Sequence, residues 1–321
     1  MESGEPSQPV PASLNLRKAV VGSLQVAFAL AIAWFGGTTI ATAWRAAETS
    51  SPHVDWMGAL FAIPAFALGY VGNMSQSRAT LQALGFGPSW ATIVRLWSIP
   101  QAASYVPGKI WWLLTRYREV RRAGGSVGVA AGDVYVEYCT TMIGAVLVGC
   151  LAFTGASREG GWKLAGACAV LAGVSLTLLL PRVSRIVFRR VTGPLGVAGE
   201  APRLPAGTAL LILGFVAMTW LSWGSAFGLL VRAISPSISL AMVPQLAGAY
   251  TLAWLSGVLS MLPGGLIARE GMLVYLLAGV VGAKEIVVAA AVMRAATVGA
   301  DMLLAAFSAA FIRKRQSASS P

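Results

Sequence analysis

Ser260-Met-Leu-Pro-Gly-Gly-Leu-Ile-Ala-Arg-Glu-Gly271 interrupts a long apolar segment and places Arg269 and Glu270 inside it. Proline removes a backbone donor and glycine frees the backbone, so no helix runs undisturbed through Pro263-Gly264-Gly265. In lipid a broken helix is tolerated only where protein or a wet cavity covers the freed backbone, and an intramembrane charge is a functional candidate by default. The break has a counterpart 156 residues upstream in Ser104-Tyr-Val-Pro-Gly-Lys109, where Leu96, Ser104, Pro107 and Gly108 fall on Leu252, Ser260, Pro263 and Gly264. Both places combine a serine, a helix breaker and a cation in apolar surroundings. They are read as equivalent points of two internal repeats.

With 56% hydrophobic residues, 11% charged residues and a mean hydropathy of +0.71, the 321-residue chain lies far outside the soluble range. It is read as an all-α polytopic membrane protein whose length is taken up by spans, leaving no room for a soluble domain of usual size. Residues 1–16, which carry Pro6, Pro9 and Pro11, and residues 317–321 read as disordered tails around one transmembrane domain, 17–316. Cys139, Cys150 and Cys168 lie in apolar stretches without ligand spacing, and His53 has no second histidine to pair with. No metal and no cofactor are therefore expected.

In chain order, apolar segments 19–44, 56–73, 126–153, 164–180, 206–231 and 286–312 are each read as crossing the bilayer, while 90–114 and 244–281 carry the breaks. Charge decides what the broken segments do. A full crossing by 90–114 would put Arg116, Arg118, Arg121 and Arg122 opposite Arg17, Lys18 and Arg78, against the positive-inside bias, so the segment is read as a hairpin that returns to the inner face. The second broken segment must return to the outer face for Arg313-Lys314-Arg315 to end inside. This assignment places both termini in the cytoplasm and 15 of the 24 basic residues inside, with Arg45, Arg158, Lys163, Arg232 and Lys284 outside and Arg95, Lys109, Arg269 and Arg294 within the membrane. The expected fold is two inverted repeats, about 56–153 and 206–312, each a span, a broken re-entrant helical hairpin and a span. The net charge of +12 is then a topology and anionic-lipid signal, and a nucleic-acid partner has no soluble basic domain to rest on.

After each Pro-Gly break a new helix starts, leaving unpaired backbone N–H groups and a positive dipole end in the membrane. Such an end attracts anions, and Lys109 and Arg269 add full charges beside the two of them. Gly108, Gly264 and Gly265 allow the backbone to approach, and Ser104 and Ser260 add hydroxyls. Glu270 is placed to orient Arg269 or to carry a proton. Asp133 and Glu137 share one helical face, as do Arg294 and Asp301, and Glu137 with Arg294 is the pair that the repeat relation invites. Such a pair serves either helix register or transport, and the sequence leaves both open.

The segment Leu262-Pro-Gly-Gly-Leu-Ile-Ala-Arg-Glu-Gly271, followed by Gly282 and Ala290-Ala-Val-Met-Arg294, resembles the signature of the lysylphosphatidylglycerol synthase-type transmembrane family, which includes the flippase domain of the multiple peptide resistance factor family. Tyr105-Val-Pro-Gly-Lys-Ile-Trp111, with Arg116 and Glu137, is similar to that family's first-half pattern. Ile267 departs from it, standing where the family more often has glycine. The resemblance runs from about Trp56 to Ile312 and implies a membrane domain with re-entrant helices that moves an anionic or modified lipid. No stretch resembles the family's soluble aminoacyl-transferase domain, so lipid aminoacylation is not implied.

The expected function is a lipid translocase, or flippase, of the cell inner membrane or plasma membrane. Its substrate would be a phosphate-bearing lipid such as a phospholipid or a polyprenyl-phosphate carrier, with or without a sugar. Substrate contacts are assigned to Arg269, Glu270, Lys109, Gly264, Gly265, Gly108, Ser104, Ser260, Arg116, Glu137 and Arg294. No catalytic residue is assigned, because no HExxH, GxSxG or P-loop pattern occurs. The competing class is a membrane-embedded transferase or an accessory subunit acting on a lipid-linked substrate. Protein partners in keeping with either class are a second copy of the chain or a lipid-modifying enzyme.

Overall fold

The computed structural model describes residues 55–106, 110–156, 181–197, 200–259 and 268–318, with positions 166, 169, 170, 173 and 265. The segments expected at 1–44 and, for the most part, at 164–180 lie outside the described residues, as does His53. Among the described residues the regular elements are α-helices and two short 3-10 turns, with no strand. In chain order they are α1 (Trp56–Ala83), α2 (Trp90–Ala103), α3 (Ile110–Arg122), α4 (Val127–Ala156), α5 (Pro181–Thr192), α6 (Ala206–Ile234), α7 (Val243–Leu259), α8 (Ala268–Leu276) and α9 (Ala283–Ala318). Helix α9 includes Ser317 and Ala318, which the sequence reading assigned to the tail.

Among the described residues, four helices are long and apolar enough to cross a membrane: Trp56–Ala83, Val127–Thr154, Ala206–Ile234 and Ala283–Ala310. The helices flanking the breaks are shorter. Helices α2, α3, α7 and α8 have 14, 13, 17 and 9 residues, and each falls short of the ~20 residues needed to cross a ~30 Å hydrocarbon core. Within each broken region the two helices pack on one another, α2 on α3 and α7 on α8.

The long helices expose Leu60, Phe61, Leu210, Leu303 and Phe307, a surface that lipid covers at no hydrophobic cost. Because lipid tails are as apolar as these side chains, helix association must come from close packing and interhelical hydrogen bonds. Helix α1 lies along α6, where Tyr70 meets Trp223 edge-on and the Trp223 indole donates to the Phe66 carbonyl at 3.2 Å. At one end of that pair the Asp55 amide donates to the Ala233 carbonyl at 2.8 Å, and the Asp55 carboxylate caps α1 through the Met57 amide. Helix α7 lies against α4 at Gly248, where a Cβ atom would stand 2.4 Å from the Phe153 nitrogen; only glycine permits that approach. Helix α9 packs on α2. Tyr70, Trp97, Trp220, Trp223, Phe227 and Tyr250 fill the centre of the resulting bundle.

Candidate functional site

Two arginines are buried among the described residues, and their surroundings differ. The first is Arg116 on α3, 1% exposed. Its origin lies in α2, where Pro100 has no N–H to give the Leu96 carbonyl, the normal acceptor one turn back. Arg116 Nη1 takes that place at 2.6 Å. Its Nε donates to Asp133 Oδ2 at 2.7 Å, and Nη2 donates to Ser77 Oγ at 2.5 Å and to Asp133 Oδ1 at 3.1 Å. Glu137 Oε2 stands 2.9 Å from the same Nη2 as an ion pair without hydrogen-bond alignment. Guanidinium and Asp133 thus meet as a fork, the geometry in which arginine binds carboxylates best.

The expected pair of Glu137 with Arg294 is not formed. Glu137 belongs to Arg116, and Arg294 Nη1 pairs with Glu270 Oε1 at 2.5 Å. Nor does Arg116 belong to the inner-surface group with Arg118, Arg121 and Arg122, which are exposed. Arg95, read as a membrane residue, binds Glu119 at 2.6 Å, and Glu119 also holds Arg122 at 2.6 Å.

The second centre is assembled at the other break. Gly265 has a φ of +68° and lies so close to α7 that a Cβ atom would stand 2.8 Å from Gly257 Cα, so glycine is required there on both counts. From that turn α8 begins at Ala268, and the Ser256 hydroxyl on α7 lies 3.1 Å from the Ala268 carbonyl. Arg269 and Glu270 therefore occupy the first turn of α8. The Arg269 guanidinium stacks over the Tyr250 ring, 4.6 Å from its centroid, a cation–π contact worth about 0.5–2 kcal/mol. Arg269 is only 9% exposed, yet its Nε and Nη2 have no hydrogen-bond partner among the described residues. Glu270 faces Arg294 on α9 and does not orient Arg269; its Oε2 is also unpartnered among the described residues.

Two turns further along α9 from Arg294, Asp301 is fully buried. Its Oδ1 accepts from the Tyr70 hydroxyl at 2.9 Å and its Oδ2 from the Tyr105 hydroxyl at 2.7 Å. Tyr105 stands in the turn that ends α2, two residues before Pro107, so this carboxylate ties the end of α2 to α9 and α1.

Of the residues assigned from sequence, the structure brings Arg269, Glu270 and Arg294 together, with Gly265 shaping the turn beneath them. Arg116 and Glu137 form the separate, saturated centre. Ser104 is half-buried and its hydroxyl donates to the Gln101 carbonyl at 2.6 Å, closing the end of α2. Gly108, Lys109, Ser260 and Gly264 lie outside the described residues. Tyr250, Tyr70 and Tyr105 were not foreseen as site residues. Tyr105 carried a signal, a polar aromatic directly before a Pro-Gly break, whereas Tyr250 lies 19 residues from Arg269 and had none.

The family profile described as Lysylphosphatidylglycerol synthase TM region matches residues 18–305. The chain belongs to this family. A search of curated proteins finds no match. As a member of the lysylphosphatidylglycerol synthase TM region family, with four helices among the described residues able to cross a bilayer, it is a multi-pass membrane protein of lipid metabolism or transport. The family profile covers both breaks and both arginine centres.

Proposed function

We propose that this protein is a lipid translocase whose anionic head group docks on Arg269. The observation that carries the reading is the pair of guanidinium nitrogens of this buried residue that have no partner among the described residues. Each buried donor without a partner costs about 1–3 kcal/mol, and more on a charged group, a cost that phosphate oxygens would relieve. Arginine suits the task because its planar fork matches phosphate and it stays protonated when buried. Arg294 adds a second positive charge beside the site, and Glu270 fixes its position. The substrate is a phospholipid or a polyprenyl-phosphate carrier, moved across the inner or plasma membrane without chemical change.

The same reading takes α1 to α4 and α6 to α9 as inverted repeats around re-entrant hairpins. Support comes from which elements meet: α1 with α6, α4 with α7, and α9 with α2. The last helix of each set thus lies on the first arm of the other set's broken pair, the exchange a two-fold relation produces. Short arms that pack back on each other also suit hairpins better than crossings. Both termini are cytoplasmic in this reading, following the basic bias.

The test uses purified protein in phosphatidylcholine liposomes carrying head-group-labelled phosphatidylglycerol or a labelled polyprenyl phosphate, with membrane-impermeant quenching as readout. Protein-dependent exposure of inner-leaflet label, lost in Arg269→Ala, is the expected result. Absence of exposure for every anionic lipid would overturn the translocase reading. Conversion of the lipid into a new compound would indicate a transferase instead.

A further inference from the structure

At one end of the bundle, helix α5 packs its apolar side on the long helices and leaves its basic side uncovered. Phe188 meets Tyr135 of α4 edge-on, with ring centroids 5.2 Å apart, and the Ser184 and Tyr135 hydroxyls are 2.7 Å apart. Phe188 belongs to a buried cluster with Ala79, Ala131 and Ile212, against which Tyr117 of α3 also packs. Ala79 lies about one turn from the end of α1, Ala131 about one turn from the start of α4 and Ile212 under two turns from the start of α6. The apolar stretches of those helices have 28, 28 and 29 residues, roughly 40 Å at 1.5 Å per residue, against a hydrocarbon core of ~30 Å. Their outermost turns therefore stand in the head-group layer, and α5 is held at that level.

The uncovered face of α5 presents Arg182, Arg185, Arg189 and Arg190, all exposed, with Ile186 among them at 64% exposure. Few carboxylates stand near. Glu200 is 3.8 Å from Arg185 with both side chains more than half exposed, and Glu119 of the neighbouring α3 is shared by Arg95 and Arg122. Arg182, Arg189 and Arg190, and Arg118 on α3, have no carboxylate at ion-pair distance among the described residues. Like charges three and four residues apart on a helix repel, so a layer of anions over this face would relieve it. Each of these cations is an arginine, whose fork takes phosphate oxygens in pairs where lysine offers a point charge. An isoleucine set in a basic face suits the boundary between head groups and acyl chains, where an interfacial helix buries its apolar side chains. We propose that this face of α5, continued by Arg118 of α3, binds anionic phospholipids of the adjoining leaflet, with their phosphates on the arginines and the start of their acyl chains on Ile186. The surface is separate from Arg269, which lies in the other broken region, and it gathers anionic lipid at this end of the protein whether or not that lipid is transported.

The experiment places a bimane fluorophore on Ile186→Cys in the full chain, reconstituted in phosphatidylcholine vesicles. Wild type carried through the same labelling supplies the blank for Cys139, Cys150 and Cys168. Vesicles contain the same small fraction of either phosphatidylglycerol or phosphatidylcholine bearing a doxyl group at the top of one acyl chain. Doxyl quenches bimane only near contact, so the two lipids compared on one chain read local enrichment by head group. At low ionic strength the phosphatidylglycerol label is expected at a local concentration at least about fivefold above that of the phosphatidylcholine label, roughly the factor that one arginine contributes at an anionic surface. In 1 M salt, where the Debye length is ~3 Å, the ratio should fall toward one. Arg182→Gln, Arg189→Gln and Arg190→Gln together should abolish the preference, whereas Arg232→Gln, at the other end of the bundle beside Asp55, should leave it. Equal quenching by the two lipids at low salt overturns the proposal. So does the lack of quenching by either lipid in a probe fully open to aqueous iodide, which would turn this face toward water and a soluble acidic partner. A preference that survives the triple replacement, or that falls as far with Arg232→Gln, overturns the assignment to α5. The comparison of lipids on Ile186→Cys alone decides the matter even if the triple variant does not fold.

Discussion

Arg116 and Arg269 are both buried and both belong to the helix that follows a break, yet among the described residues the hydrogen bonding of one is complete and that of the other is not. Arg116 has a proline-freed carbonyl, a serine and two carboxylates around it. Arg269 has an aromatic face and two guanidinium nitrogens without a partner among the described residues. Burial of a charge therefore does not by itself mark a binding site in this bundle. The proposed binding site is marked instead by guanidinium nitrogens that find no partner among the described residues.

If that contrast is correct, the two arginines should fail in different assays. Arg116→Met removes the cation from a closed ionic cluster and leaves Asp133 and Glu137 facing each other, so a loss of about 3–5 kcal/mol in stability is expected, read as thermal unfolding in detergent. Within that cluster Asp133→Asn should cost more than Glu137→Gln, since Asp133 alone makes the aligned fork. Equal costs would mean that alignment contributes nothing. Arg269→Ala should cost stability no more than its contact with Tyr250, about 0.5–2 kcal/mol, but weaken anionic-lipid binding by about 1.5–3 kcal/mol, roughly ten- to a hundredfold. Arg269→Lys should recover only part of it, because lysine keeps the charge without the fork. Should Arg269→Ala unfold like Arg116→Met, the distinction between a structural and a ligand-binding arginine collapses. The smallest effect is expected at Arg122, 68% exposed and paired with Glu119: Arg122→Ala should cost roughly 0–1 kcal/mol and less at high salt.

Sidedness sharpens the comparison without energetics. Cysteines replacing Arg121 and Arg185 should react with an impermeant reagent from one face of the membrane, and one replacing Lys284 from the other. Helix α3 and the 3-10 turn after α5 are in contact, which puts the first two near one end of the bundle. Labelling of Arg121 and Lys284 positions from the same face would exclude opposite orientation of the two broken pairs.

The four long helices were legible because apolar length and flanking charge are properties of the sequence alone. So were both breaks, because Pro-Gly dictates them wherever they fall. The pairing of the buried charges was not. Repeat equivalence pointed Glu137 at Arg294, whereas the local geometry of α2 offered Arg116 an acceptor first, through the carbonyl that Pro100 cannot bond. A finer reading of α3 would have helped. Arg116 and Val120 are one turn apart and share the buried face, while Arg118, Arg121 and Arg122 lie outside it, so the basic run was never a single surface group. Arg269 was found because the break announces it; Tyr250 and Tyr70 come from distant helices that only the packing brings near.

The Leu96 carbonyl has a consequence for how the chain is made. Helix α2 leaves the ribosome with an acceptor that nothing in α2 can bond, and α3 follows with a guanidinium whose counter-ions have yet to be synthesised. Neither helix is acceptable to lipid at that moment. Only when α4 delivers Asp133 and Glu137 does the buried Arg116 guanidinium gain its carboxylate partners, so the three segments should leave the insertion machinery for the bilayer as one parcel. Chains truncated before α4 should consequently remain extractable by alkaline carbonate in their α2–α3 portion, and chains truncated after it should not.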